Sequence, residues 1–119
     1  MQKIALIGLG QRGQSLLTDA ILPAAEEFNI EVAAVYDTYE DRIEDAVKAV
    51  IEKTGKKPMA ASSYEEILAD TQISAVIIAT AWETHIPMAI AAMKAGKFAA
   101  FEVGGAYNVE DCWKLVDTY

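Results

Sequence analysis

Three glycines, Gly8, Gly10 and Gly13, stand as Gly-x-Gly-x-x-Gly between a short apolar run and the start of a helical repeat. That spacing suits an anion. The first glycine permits a tight turn, and the second lets backbone approach a phosphate with no Cβ in the way. The third lets a helix start pack close to the preceding strand. Unpaired N–H groups at the helix start then face the ligand. Arg12 adds one positive group to the same loop. Alone, the motif also fits an ordinary strand–helix turn. Asp37, which closes the next apolar run, narrows the reading, because a carboxylate there accepts hydrogen bonds from the ribose hydroxyls of an adenosine. By itself Asp37 also suits a helix cap or a solvated turn. A carboxylate favours NAD, since a 2′-phosphate would face like charge. Arg42 lies nearby and leaves NADP open, although a solvated helix arginine is its simpler reading.

Two further segments carry polar groups at the ends of apolar runs. One is Ala79-Thr80-Ala81-Trp82-Glu83-Thr84-His85, and the other is Phe101-Glu102-Val103-Gly104-Gly105. On residue type alone, His85 is more often a cap or packing residue than a catalyst, and Trp82 more often a packing residue. Glu102 stands out, because an apolar strand rarely ends in a buried carboxylate without a partner.

These residues need elements to position them. Ile4-Ala5-Leu6-Ile7, Val32-Ala33-Ala34-Val35-Tyr36, Ala75-Val76-Ile77-Ile78-Ala79 and Phe98-Ala99-Ala100-Phe101 are short apolar runs, as expected of strands buried on both faces. A short strand is expected around Met59-Ala60-Ala61. Between them run helical stripes: Leu16, Leu17, Ala20 and Ile21; Ile43, Ala46, Val47, Val50 and Ile51; Ile86, Ala89, Ile90 and Met93. Pro23 should kink or divide the first helix. Ser62 or Ser63 should begin a capping box with Glu65 or Glu66. Pro87 is expected in the first turn of its helix, which should stop at Gly96. Asn108 should cap a last helix, with Glu110 and Asp111 in its first turn. Alternating strands and helices make a Rossmann-type α/β fold: a doubly wound parallel sheet of about five strands, three layers α/β/α, in one domain. The last helix reaches Tyr119 with no residue to stop it, so the chain reads as a fragment.

Composition limits the alternatives. The chain has 119 residues, 53% hydrophobic and 24% charged, enough for one domain with a real core. Ten basic against eighteen acidic residues give a charge of -8. That argues against nucleic acid and against a polybasic membrane contact. A single cysteine, Cys112, excludes an internal disulfide and a CxxC metal or redox pair, and it reads as a half-buried helix residue. No metal is expected. No apolar stretch approaches a membrane span, and the glycines interrupt the signal-like start, so the expected compartment is the cytoplasm.

From Ile4 onward the sequence resembles the amino-terminal, nucleotide-binding domain of the glucose–fructose oxidoreductase / inositol dehydrogenase / MocA family. The resemblance rests on Gly8-Leu9-Gly10-Gln11-Arg12-Gly13, on Tyr36-Asp37, on Thr80 with His85 five residues later, and on Ala95-Gly96-Lys97 leading into Phe101-Glu102. It implies that this glycine loop binds the cofactor, with Gly8, Gly10, Arg12 and Gly13 at the pyrophosphate and Asp37 at the adenosine ribose. Thr80, Ala81, Trp82 and His85 would line the nicotinamide half, and Glu102 would lie near the nicotinamide ribose. It also implies hydride transfer with a sugar, polyol or related small molecule. The substrate pocket would be completed by a carboxyl-terminal domain absent from these 119 residues, so this chain alone is expected to be inactive. The full-length protein is expected to be a homo-oligomer.

Two departures bear on the chemistry. The family's Glu-Lys-Pro becomes Glu102-Val103-Gly104, so a group that cannot exchange a proton stands at the usual lysine position. His85 is then the one remaining catalytic candidate. Trp82 replaces the usual asparagine. Thr-x-Trp-x-x-His followed by Glu-Val is similar to the NAD-dependent α-N-acetylgalactosaminidases of the same superfamily. These retain NAD and use transient oxidation to eliminate a glycoside. A non-catalytic nucleotide-binding domain is a further alternative.

Overall fold

The apolar run Ile4–Ile7 has no polar face, so its strand needs cover on both sides, and the fold supplies it. The structure, a computed structural model, describes residues 2–102 and 109–119. The strands are β1 (Gln2–Ile7), β2 (Ile30–Tyr36), β3 (Met59–Ala60), β4 (Ile73–Ile78) and β5 (Phe98–Phe101). They form one sheet in the order β3-β2-β1-β4-β5, and every pairing is parallel. Alternate residues of β1 feed two separate cores. Ile4 and Leu6 pack with Leu17, Val35, Ala46 and Val50 on one face. Ala5 and Ile7 pack with Ile67, Val76 and Ala89 on the other. The helices are α1 (Gln11–Ser15), α2 (Leu22–Ala25), α3 (Glu40–Thr54), α4 (Tyr64–Ala69), α5 (Trp82–Lys94) and α6 (Val109–Thr118). The Rossmann architecture expected from the alternating periods is the one observed.

Several local expectations need adjusting. A π-helical stretch, Leu16–Ile21, separates α1 from α2, and Pro23 follows directly in the first turn of α2. The Leu22 N–H bonds Leu17 O, a five-residue step. The buried phase therefore moves from Leu17 to Leu22 and Ala25, and Ala20 is exposed, unlike the straight-helix stripe. On α3, Ala46 and Val50 are buried, but Ile51 lies off the stripe and is exposed. Helix α5 begins at Trp82, so Pro87 is inside it rather than in its first turn. The Thr84 N–H already bonds Ala81 O, which sets the helix start five residues before the proline. At the other end, Gly96 N–H bonds Met93 O and Lys97 N–H bonds Ala92 O, the Schellman pattern that stops α5 where expected.

Both serines before α4 take part in its cap. Ser63 Oγ accepts from Glu66 N–H, while the Glu66 carboxylate reaches back to the N–H and hydroxyl of Ser62. The two bonds from Ser62, its hydroxyl first and then its N–H, hold the Glu66 carboxyl below its ordinary pKa. Buried Lys97 donates to the carbonyls of Asp70 (2.6 Å) and Ile73 (2.7 Å), which locks the entry to β4 against the entry to β5. Cys112 is exposed rather than half-buried. Helix α6 meets the core through Leu115, and Trp113 and Val116 on the same helix are exposed. Asn108 and its expected cap lie outside the described residues. Among the described residues, no helix is long and apolar enough to cross a membrane.

Candidate functional site

The sheet order reverses between β1 and β4, so the loops leaving these two strands part and open a crevice at their carboxyl ends. Hydrogen bonds just past the strands keep the crevice walls in line. Gly8 N–H bonds Tyr36 O at 2.9 Å, Ala79 N–H bonds Ile7 O at 2.7 Å, and Glu102 N–H bonds Ile78 O at 3.2 Å. The sequence-distant segments at Gly8, Asp37, Ala79 and Glu102 therefore share one rim. A cleft of about 300 Å³ lies there, lined by Gly8, Gly10, Asp37, Arg42 and Thr80 among others.

The glycine loop is shaped by close approach. Gly8 has φ +92°, and a Cβ there would lie 2.6 Å from Ala79 C and 2.7 Å from Thr80 N. A Cβ on Gly13 would overlap the carbonyl of Gly8. Gly10 differs. A Cβ there would meet no protein atom nearer than Arg42 Nη1, at 3.5 Å. The fold does not require glycine at this position, yet glycine keeps the backbone face of the helix start clear. The first bond of the helix runs from Gln14 N–H to Gly10 O, which leaves the preceding N–H groups without helical partners. This cradle fits a pyrophosphate.

Asp37 is buried and organises the loop. Its Oδ2 accepts the Leu9 N–H at 2.7 Å, and its Oδ1 accepts the Tyr39 N–H at 3.0 Å. One carboxylate thus ties the glycine loop to the end of β2 and steers the chain into α3. Leu9 buries its side chain in the core and directs its N–H to Asp37, so its part in the site is this link. Gln11 is exposed at the start of α1. Arg42 is not simply solvated. Its guanidinium carbon lies 4.6 Å from the Tyr39 ring centroid, and Nη1 is 3.7 Å from Asp37 Oδ2.

On the other wall, Arg12 Nε donates to Glu102 Oε1 at 3.0 Å. This pair joins the glycine loop to the end of β5 and gives Glu102 the partner expected of a carboxylate there. Thr80 bonds through Oγ1 with Thr84, and Ala81 precedes the first turn of α5. His85 is 1% exposed, with Nε2 2.9 Å from Thr80 O and its ring 5.9 Å from that of Phe101. It supports the β4–α5 loop from behind, and it is not among the residues that line the cleft. Trp82 opens α5, but its side chain lies outside the described residues, as does Val103.

Sequence reasoning missed three participants. Thr84 and Met88 line the cleft from the first and second turns of α5, and Tyr39 carries Arg42. The i, i+4 spacing of Thr80, Thr84 and Met88 was the available signal. Behind them, the Tyr64 hydroxyl donates to Met88 O at 2.6 Å, and burial pushes its pKa up to about 12. A larger hollow, about 490 Å³, lies at the opposite ends of the strands and is lined by Lys3, Glu31 and Lys56 among others. There Glu31 already pairs with Lys3 (3.9 Å) and Lys56 (3.3 Å). The helix ends on that side are carboxyl ends, such as Thr54, whose dipoles repel anions.

Comparison with known proteins points the same way. The family model described as "Oxidoreductase family, NAD-binding Rossmann fold" (GFO/IDH/MocA) matches residues 2–119. Among curated relatives, a protein of Shewanella sp. (strain ANA-3) named glycosyl hydrolase family 109 protein 1 is 39% identical over 98% of this chain and 25% of its own length. An α-N-acetylgalactosaminidase of Shewanella oneidensis is 36% identical over the same shares. The chain thus spans about a quarter of the length of these relatives. Among solved structures, an NAD-binding protein from Listeria innocua is 31% identical, with a TM-score of 0.77 over 98% of this chain and 32% of that one. The myo-inositol dehydrogenase of Lactobacillus casei, in complex with NAD(H) and myo-inositol, shares the fold at 23% identity. Its TM-score is 0.80, over 99% of this chain and 33% of that one.

Proposed function

The chain belongs to the GFO/IDH/MocA oxidoreductase family, and from that premise we propose that it is the dinucleotide-binding half of an enzyme that oxidises or reduces a carbon–oxygen bond of a sugar-like molecule. The observation that supports this reading is the Asp37–Leu9 bond, which holds a buried carboxylate beside the open backbone face at Gly10. The Gly10–Gly13 helix start would hold the pyrophosphate, and Asp37 the adenosine ribose. Thr80 and Ala81 would border the nicotinamide half, with Glu102 near its ribose. The cofactor, when bound, supplies or accepts a hydride. Asp37 makes NAD the expected nucleotide. The chain spans about a quarter of the length of its curated relatives, and in this reading the remainder of such a protein would complete the substrate pocket, so the 119-residue chain alone is expected to be inactive.

A second reading has its own support. The relatives named glycosyl hydrolase family 109, together with Trp82 and Val103, favour a glycosidase that keeps its nucleotide and uses it for transient oxidation. One experiment separates the two. The parent protein is purified, its absorbance is read for retained nucleotide, and it is given sugars and aryl glycosides. Net NADH accumulation with a sugar supports the dehydrogenase and overturns the glycosidase. Glycoside cleavage without accumulation does the reverse. Failure of the folded chain to bind either NAD or NADP would remove both.

A further inference from the structure

We infer that the hollow at the amino ends of β1 and β2 is a second ligand site, and that it takes a small apolar carboxylate. It lies at the opposite ends of the strands from the nucleotide cleft, about 20 Å away along the six residues of β1. Nothing in it depends on the dinucleotide reading.

The hollow measures about 490 Å³, within the size range of small-molecule sites. Its floor is apolar. Leu22, Ala25 and Val32 line it, and all three are core residues that keep a small exposed edge. Its rim is cationic. Lys3 comes from β1, Lys53 from the last turn of α3, and Lys56 and Lys57 from the segment that follows. Gly55, at φ +74°, ends α3 and turns the chain so that both later lysines join the same rim. A solvated lysine face needs no apolar floor beneath it. A floor and rim of this kind suit a ligand with an apolar body and one negative group.

Charge decides the sign of that group. The whole chain has ten basic and eighteen acidic residues, yet this hollow is lined by four lysines against three carboxylates, Glu26, Glu31 and Asp70. The carboxyl end of α3 adds roughly half a negative charge. It offers carbonyls rather than N–H groups, so an anion here is held by side chains and not by backbone. Even with the helix end counted, the balance is slightly positive on a chain of charge -8. Part of the lysine charge is already engaged. The Glu31 carboxylate sits between Lys56, at 3.3 Å, and Lys3, at 3.9 Å, and Lys3 also donates to Gln72 at 2.8 Å. That network fixes the rim and seats one carboxylate on it. Asp70 is engaged too, since its Oδ1 accepts the Gln72 N–H at 2.9 Å. Lys53 and Lys57 make no ion pair among the described residues. These two ammonium groups are the ones left for a carboxylate from outside.

The test is an NMR titration of the 119-residue chain, read at its backbone amides, with 2-naphthoate, uncharged 2-naphthalenemethanol and acetate. 2-Naphthoate is expected to shift the amides of residues 30–33 and 53–57. It should bind about tenfold tighter than either of the others, because it alone has both the apolar body and the charge. Lys53→Glu with Lys57→Glu should weaken 2-naphthoate about tenfold or more and leave 2-naphthalenemethanol unchanged, and either single change should act in the same direction by about threefold. Lys48→Glu, at an exposed lysine of α3 outside the hollow, should change neither by more than about twofold. Glu31→Gln, which releases Lys3 and Lys56, should strengthen 2-naphthoate about threefold. A thermal melt checks that each variant is folded. Full affinity in the lysine variants, an equal loss in Lys48→Glu, or a wild type that does not bind 2-naphthoate overturns the inference. So does displacement of 2-naphthoate by saturating NAD, which would put it in the nucleotide cleft. A chain that binds 2-naphthoate as expected but no nucleotide overturns the dinucleotide reading alone.

Discussion

The Asp37 carboxylate and the Leu9 N–H, 28 residues apart in sequence, meet at 2.7 Å in a buried hydrogen bond that holds the glycine loop to the second strand. Because both groups are out of water, removing one leaves the other unsatisfied. Asp37→Ala should cost about 1–3 kcal/mol of stability and abolish measurable NAD binding. Asp37→Asn keeps an acceptor oxygen and should lose less stability. Urea unfolding and calorimetry on the same samples read both effects. Unchanged stability in Asp37→Ala would show that the bond does not organise the loop.

The glycines of the loop separate by role. A Cβ at Gly13 meets the Gly8 carbonyl, a backbone atom that cannot turn aside. Gly13→Ala should therefore destabilise by about 1–3 kcal/mol, with nucleotide affinity lost as a consequence. Gly10 has ordinary extended backbone (φ −71°, ψ −163°) and open space. Gly10→Ala should stay within about 0.5 kcal/mol of wild type yet lose about tenfold in NAD affinity, because the methyl group fills the cradle. Normal NAD affinity in Gly10→Ala would place the pyrophosphate elsewhere.

Arg12 and Glu102 bridge the cleft walls at 3.0 Å, but their side chains are 63% and 29% exposed. Water and salt screen such a pair, so its net stabilisation is about 0.2–1 kcal/mol. Arg12→Gln should lower the melting temperature slightly at low salt and hardly at all in 1 M salt (a Debye length of about 3 Å). It should weaken NAD binding at both salt concentrations if the guanidinium also serves the pyrophosphate. A double-mutant cycle with Glu102→Gln gives the coupling, and a value near zero would deny the pair any part in closing the rim.

Tyr64 couples pH to stability at the alkaline end. Its native pKa lies near 12, above the ordinary value of 10.0, because burial disfavours the phenolate. The unfolded chain therefore ionises first. Stability should be level below about pH 10, fall as pH rises towards 12, and fall less in Tyr64→Phe. That variant should itself cost about 1 kcal/mol at neutral pH, since Met88 O loses its donor. A wild type and Tyr64→Phe with parallel pH profiles would rule the coupling out.

Much of this molecule is local, and local features are legible in a chain. Ile4–Ile7 with nothing polar among them must be a strand covered twice, and three glycines at the next turn must serve a close backbone approach. The alternation of two periods limits the connections to right-handed crossovers. These determined the parallel sheet, the glycine loop and the carboxylate at its side. Where the pattern misled, a neighbour had changed the local geometry. The π-helical stretch ahead of Pro23 moved the buried phase from Ala20 to Leu22, and a bond from Thr84 to Ala81 started α5 well before Pro87.

The rest depended on strand order. Arg12 and Glu102 are 90 residues apart, and nothing in either segment marks the other as its partner. They meet because β4 and β5 lie on one side of β1 while β2 lies on the other. The same order set Phe101 of β5 against the His85 ring, 5.9 Å between centroids, so that the packing role its residue type favoured is the one it takes. It also brought Gln14 of α1 to the Arg42 carbonyl at 3.2 Å, 28 residues away in sequence. Residue types and spacings set which groups are available and which face of an element they occupy. Which of them meet across the cleft is settled only when the sheet closes, because those contacts follow from packing between elements and not from neighbours in the chain.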